Sequence, residues 1–244
     1  MNRNEFFPAL PITKLVLRLT NASLEICTDD IEDIHVMISG GKTEALRVIA
    51  AADTLTVEQP VSALAKSAAS ASSWLQITLR LPRNWKGAID VRTISGWMSI
   101  RSLTGSALDL DTVSGQIAAT DLDFMTLSAH AVTGDVKLHQ VKCGKCTLFS
   151  TSGSLTAMRC EMKNGSARTV TGEITLDLVA PFEELTLNSV TGDICVAAPT
   201  TECDAALRSI SGRIRTSGVS IVEGGRKLRA TTVSSDLDLT CNIE

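Results

Sequence analysis

Polar and apolar residues alternate with period two along most of this chain, and from residue 93 onward the alternation returns on a fixed longer period. Each return opens with a hydroxyl residue, an apolar residue or Thr, a second hydroxyl residue and Gly. The copies are Thr93-Ile94-Ser95-Gly96, Thr112-Val113-Ser114-Gly115, Ala131-Val132-Thr133-Gly134, Ser150-Thr151-Ser152-Gly153, Thr169-Val170-Thr171-Gly172, Ser189-Val190-Thr191-Gly192 and Ser209-Ile210-Ser211-Gly212, with Ala131 the one lapse in first place. An eighth, Thr232-Val233-Ser234-Ser235, lacks the Gly. Successive glycines lie 19, 19, 19, 19, 20 and 20 residues apart, and Ser235 lies 23 beyond the last. Such regularity marks a repeat architecture.

After each Gly the order is polar, apolar, variable, apolar, the pattern of a half-buried strand. Two places after it stand Met98, Ile117, Val136, Leu155, Ile174, Ile194, Ile214 and Leu237; four after it stand Ile100, Ala119, Leu138, Ala157, Leu176, Val196, Thr216 and Leu239. Seven after it come Leu103, Leu122, Val141, Cys160, Val179, Pro199 and Val219. A second alternating stretch supplies Leu108 and Leu110, Leu127 and Ala129, Cys146 and Leu148, Leu185 and Leu187, Ala205 and Leu207. These columns predict inward faces. A unit of about 19 residues holds two short strands and two bends but no crossover helix. The reading is therefore all-β, a single-chain β-solenoid of the parallel β-helix kind with coils of 19 or 20 residues. Residues stack on their equivalents about 4.8 Å away, so one residue type must suit the same surroundings every turn. Antiparallel hairpins would want Asn-Gly or Asp-Gly at a fixed place, and only Asn164-Gly165 occurs. The seven motif glycines, Gly96, Gly115, Gly134, Gly153, Gly172, Gly192 and Gly212, are expected to complete structural turns, with the hydroxyls beside them bonding the backbone around an inward Val.

Residues 1–91 carry strands without the period and read as an irregular N-terminal β portion continuous with the solenoid and capping it; residues 92–244 are the regular repeats. The Ala- and Ser-rich stretch 62–73 reads as a mobile surface loop, with a short helix as the alternative. Gly218 to Arg229 enlarges the last coil, and the chain stops in a strand whose outward Asp236 and Asp238 would discourage edge-to-edge addition.

Composition agrees with a thin interior. The 244 residues include five Phe, three Trp and no Tyr, which suits two sheets about 10 Å apart. With 23 basic and 27 acidic side chains, a net charge of -4 and no basic block, a nucleic-acid groove is excluded as the working reading, as is an anionic membrane partner. No stretch reaches about 18 uncharged apolar residues, so no transmembrane segment is expected. Met1 to Pro11 holds one Arg and no apolar core, which predicts a cytoplasmic chain.

Candidate chemistry is sparse. Cys143-Gly144-Lys145-Cys146 has CxxC spacing, but nothing completes a metal or redox site and core or turn cysteines are the favoured reading. The seven scattered cysteines are expected to be reduced. Asp135 and His139 share an outward face and read as surface residues. Asp109, Asp111, Asp121 and Asp123 are outward carboxylates on adjacent coils, but coils of constant length leave no loops to wall a cleft, so a solvated acidic face is expected. The hydroxyl columns resemble ice-binding Thr ladders only at Thr169 and Thr171. Trp97 and Trp85 are candidate contact residues. No P-loop, dinucleotide or Gly-x-Ser-x-Gly motif occurs, and neither a cofactor nor a metal is expected.

The copies Val132-Thr133-Gly134-Asp135-Val136, Val170-Thr171-Gly172-Glu173-Ile174 and Val190-Thr191-Gly192-Asp193-Ile194, preceded by a strand ending in Leu81-Pro82, resemble a bacterial β-strand-repeat family of unknown function that carries an adhesin label. The resemblance covers about residues 12–244 and implies a non-catalytic β-solenoid, with a cell-surface location by its label. The leading expectation is a structural or binding module whose outward ladders meet a protein or cell-envelope component. The alternative is a cytoplasmic scaffold resembling bactofilins, a homo-oligomer built through its end rungs. A polysaccharide-active β-helix enzyme ranks third.

Overall fold

The computed structural model describes residues 2–41, 43–59 and 74–242. The Ala- and Ser-rich stretch 62–73 lies outside the described residues. The strands are β1 (Arg3–Pro8), β2 (Lys14–Asp29), β3 (Asp33–Gly40), β4 (Arg47–Ala51), β5 (Thr54–Glu58), β6 (Leu75–Pro82), β7 (Ala88–Ser95), β8 (Met98–Ser114), β9 (Ile117–Thr133), β10 (Val136–Ser152) and β11 (Leu155–Thr171). They continue as β12 (Ile174–Leu178), β13 (Glu184–Asn188), β14 (Ile194–Ala198), β15 (Glu202–Ser209), β16 (Ile214–Ser217), β17 (Ser220–Ile221), β18 (Lys227–Thr232) and β19 (Leu237–Cys241). The chain is a β-solenoid. No helix among the described residues is long and apolar enough to cross a membrane.

Parallel pairing runs in register through the repeats: Met98 lies beside Ile117, Ile117 beside Val136, Val136 beside Leu155 and Leu155 beside Ile174. These side chains are fully buried and, with the Leu108 to Leu148 columns, form one continuous core. Each of β8 to β11 is a long strand whose inward alternation breaks twice, near Ser106 and its equivalents and at a left-handed corner. That corner sits at Ser102, Asp121, Gln140 or Arg159, 19 residues apart, at φ 54, 56, 53 and 55. None is Gly or Asn, the residues that ordinarily mark this conformation.

The next coil lacks this corner. Leu178, the place 19 residues after Arg159, stays extended and turns inward beside Cys160, so Val179, expected inside, is half-exposed.

Both ends depart from chain order. At the N-terminus β2 lies between two rungs: its first half pairs with β5 and β7, its second with β6 and β8. Antiparallel strands extend the outer rung, β3 and then β1 beyond β6, and β4 beyond β5. The 3-10 turn Thr43–Ala45 carries the chain across, and buried Leu46 closes the core there. At the C-terminus β18 pairs with β13 on one side and β15 on the other, and β19 likewise lies between β14 and β16. The last strand is therefore interior. Asp236 and Asp238 do not guard an edge as expected; they hold Arg215 of the neighbouring rung, at 3.2 and 3.3 Å. The true end rung is β15 and β16, where Ala205 and Leu207 are half-buried and Ile214 and Thr216 exposed.

Candidate functional site

Local structure at the Gly corner creates a concave surface. Alternation carries inward from Leu108 and Leu110 to Thr112, so the first residue of each motif copy but the seventh, whose Ser209 is half-buried, lies inside and the central residue faces out. Ile94, Val113, Val132, Val170 and Val190 are each exposed by 40 to 52%. The inward Val of the sequence reading is thus corrected: the side chain that enters the core is the preceding Thr, Ser or Ala. Its hydroxyl avoids the cost of an unpaired buried donor by donating to the motif Gly carbonyl one rung below, Ser150 Oγ to Gly134 at 3.1 Å, Thr169 Oγ1 to Gly153 at 3.1 Å and Ser189 Oγ to Gly172 at 3.3 Å. Thr112 and Thr232 are exceptions, each buried with no partner for Oγ1. The third motif residue also bonds backwards, Thr133 Oγ1 to the Val113 carbonyl at 3.1 Å and Thr191 Oγ1 to the Val170 carbonyl at 3.3 Å. Hydroxyls so engaged leave an outer strip that is apolar in character.

Beside this strip runs a groove of about 560 Å³. One wall is Ile94, Val113 and Val132; the floor is Leu19, Thr93, Thr112 and Ala131; the far wall is Arg18, Arg92, Asp111, His130 and Phe149 on successive rungs. Gln59 closes the N-terminal end, its Oε1 accepting the amides of Thr20 at 2.9 Å and Asn21 at 3.2 Å. The far wall is a relay of opposite charges. Arg18 donates through both terminal nitrogens to Asp90, which holds the Asp90 carboxyl below its ordinary value. Arg92 bridges Asp90 at 3.7 Å and Asp111 at 3.4 Å, and Asp111 reaches His130 Nδ1 at 3.2 Å. The edge of Phe149 meets the His130 ring at a centroid distance of 6.1 Å.

The residues anticipated as sites fall as follows. The seven motif glycines stand at these bends, and an added Cβ on each of Gly115, Gly134, Gly153, Gly172 and Gly192 would meet the carbonyl oxygen of the Gly one rung below at 1.8 to 2.2 Å. Asp111 lines the groove; Asp109 is exposed on the strand beside it, and Asp121 and Asp123 stand at and after the left-handed corner, away from it. Asp135 accepts the Ser154 amide at 3.0 Å and pairs with Lys137 at 3.3 Å, while His139 is exposed. Cys143 and Cys146 are buried together, the Cys143 side-chain hydrogen bond and burial pushing the Cys146 thiol up, and Cys160 beside them is pushed up to about 11, chiefly by burial. Thiols held protonated are poor ligands and nucleophiles. Trp85 is no contact residue: it is buried and donates to the Ile12 carbonyl at 2.7 Å, a wedge under the N-terminal rung. Trp97 is exposed as expected. Arg18, Gln59, Arg92 and Phe149 were not anticipated, although continuing the alternation two residues beyond Leu110 would have put Thr112 inside and Asp111 with Val113 outside.

A protein-family model described as Toastrack DUF4097 matches residues 12–240. None of the curated proteins matches the chain. Among solved structures, one described as a "putative adhesin" from Bacteroides fragilis is similar at TM-score 0.54 and 14% identity, covering 98% of this chain and 97% of its own. A "putative lipid binding protein" from Parabacteroides distasonis is similar at TM-score 0.51 and 12% identity, covering 99% and 97%. At such identities the likeness is one of fold.

Proposed function

This chain belongs to the Toastrack DUF4097 family, and from that premise we propose that it is a non-enzymatic binding module that grips a cell-envelope component along the Gly-corner groove. One observation carries the reading: apolar side chains recur in water-facing places rung after rung, beside a groove stopped at one end by Gln59. Contiguous exposed apolar surface of this kind marks an interaction site, and a ladder with the spacing of β-rungs suits an extended partner lying along it. The adhesin description of a structural neighbour supports an envelope partner. Polysaccharide cleavage would need two carboxylates about 5 to 9.5 Å apart on one bond, whereas the two that line the groove, Glu58 and Asp111, stand three strands apart through Arg18 and Arg92, about 14 Å along the sheet. A filament through both ends would need two matching ends, and at the N-terminal end the core is plugged by Leu46 and the parallel stack gives way to antiparallel pairs.

The test is co-sedimentation of purified protein with isolated bacterial envelope fragments. Wild type is expected in the pellet, and the double variant Val113→Asp, Val132→Asp is expected to bind at least tenfold more weakly while keeping its circular dichroism. Equal sedimentation of the two, or none by the wild type, would overturn the reading.

A further inference from the structure

The two ends of the rod are unlike. The N-terminal core is plugged by Leu46, whereas among the described residues only the two-residue β17 lies over the end rung, and Ile214 is left 44% exposed. Edge strands with free backbone groups are templates for pairing unless charge, Pro or a bulge blunts them. Arg215 does not do so, because it is turned back onto Asp236 and Asp238.

Half of the β15 edge is occupied by its own chain. The Cys203 carbonyl accepts the Val222 amide at 3.0 Å, while the N–H of the same peptide group, that of Asp204, donates to the Arg226 carbonyl at 2.7 Å. The C=O and N–H of a trans peptide group point to opposite sides of a strand, so β17 lies on the outer edge of β15 and β18 on the inner. β17 pairs only with Glu202 and Cys203, leaving the outer edge from Ala205 to Ser209 open. Charge divides in the same way. Glu202, Asp204 and, next to β17, Glu223 lie on the covered half, and Arg208 with Arg213 lies towards the Gly corner, on the open half.

The geometry points to a second copy of this chain as the occupant, in an isologous two-fold dimer joined end to end through β15, β16 and β17. A two-fold axis across the rod reverses strand direction, so the acidic, β17-bearing half of each copy meets the open, basic half of the other. Closed two-fold symmetry is the commonest way to satisfy a self-complementary surface. An end face about 25 Å long from the strand rise, and about 20 Å wide from two sheets about 10 Å apart with their outward side chains, buries about 1,000 Å² over both copies, the lower limit of a specific interface and the size of a weak, concentration-dependent association. This goes beyond the groove reading and is independent of it, because the groove stays open on the outside of the rod.

Sedimentation velocity from about 1 to 100 µM tests it with two charge-reversed variants, Glu202→Lys with Asp204→Lys, and Arg208→Glu with Arg213→Glu. Wild type is expected to dimerise in this range. Each variant alone presents like charges across the axis and is expected to associate at least tenfold more weakly. Their equimolar mixture restores opposite charges at both contacts and is expected to dimerise. A monomeric wild type throughout, variants that dimerise like the wild type, or a mixture that stays monomeric would each overturn the proposal; circular dichroism of each variant confirms that it is folded.

Discussion

Alanine in place of Gly134 is expected to destabilise the fold by at least about 4 kcal/mol. The new Cβ would lie 2.0 Å from the Gly115 carbonyl oxygen and 2.7 Å from its carbon, at a φ of +144 that side chains rarely adopt. Neither atom belongs to a flexible side chain, so relief requires rungs to move apart. Movement strains the bonds that join them, the Gly134 amide to Ser152 at 3.0 Å, the Gly115 amide to Thr133 at 3.0 Å and Ser150 Oγ to Gly134 at 3.1 Å. Backbone strain of about 1–3 kcal/mol adds to about 1 kcal/mol for each weakened bond. Gly224→Ala is the control: its Cβ meets nothing within 4 Å, although its φ of +81 is left-handed, so only about 1 kcal/mol of backbone strain is expected. Urea midpoints of the two variants decide the matter. A Gly134→Ala protein within about 1 kcal/mol of wild type would show that the rungs are not locked together at this corner.

Deleting residues 227–244 is expected to unfold two rungs, although the segment forms one. Leu228, Ala230, Leu237 and Leu239 are buried between the rung of β13 and β14 and that of β15 and β16. Their removal forfeits about 6 kcal/mol of apolar burial and leaves β16 with no strand to pair with and β15 with only the two-residue β17. Because a solenoid unfolds rung by rung, the loss stays local. Hydrogen exchange is expected to show residues 202–217 unprotected and residues 98–171 unchanged. Protection persisting at residues 202–217 would mean that the end rung packs directly on its neighbour in sequence.

How much of this was legible in the amino-acid sequence depends on what each residue type signals. Strands, period and register were, because a column such as Ile117, Val136, Leu155 and Ile174 must be apolar in every turn if it stacks. Family membership followed from the same motifs. The second corner was not legible: Ser102, Asp121, Gln140 and Arg159 share no chemistry, and their left-handed geometry is imposed by the strands on either side. Rung order at the ends was equally hidden. Periodicity says that residues 237–239 match residues 194–196 but not that residues 214–216 are pushed outward to admit them. The groove lay between these cases. Its apolar wall was misread because a Val between two hydroxyls looks like a core residue, whereas the alternation from Leu108 through Leu110 to Thr112 places it outside.

The central claim is that the chain is an in-register stack with its last strand inside the penultimate rung. Pulsed electron paramagnetic resonance on pairs of spin labels reads this out directly. Arg101, Thr120, His139 and Met158 occupy one outward column by pairing; Asp177, next to the paired Ala157–Leu176 position, continues it, followed by pairing through Ala197, Thr240 and Ser217. The labels are attached through non-cysteine chemistry, since Cys195 and Cys241 are half-exposed. With about 4.8 Å per rung, distances from residue 101 are expected to be about 19 Å to residue 177, about 29 Å to residue 240 and about 34 Å to residue 217. A shorter distance to residue 217 than to residue 240, or distances that do not grow along this series, would contradict the account.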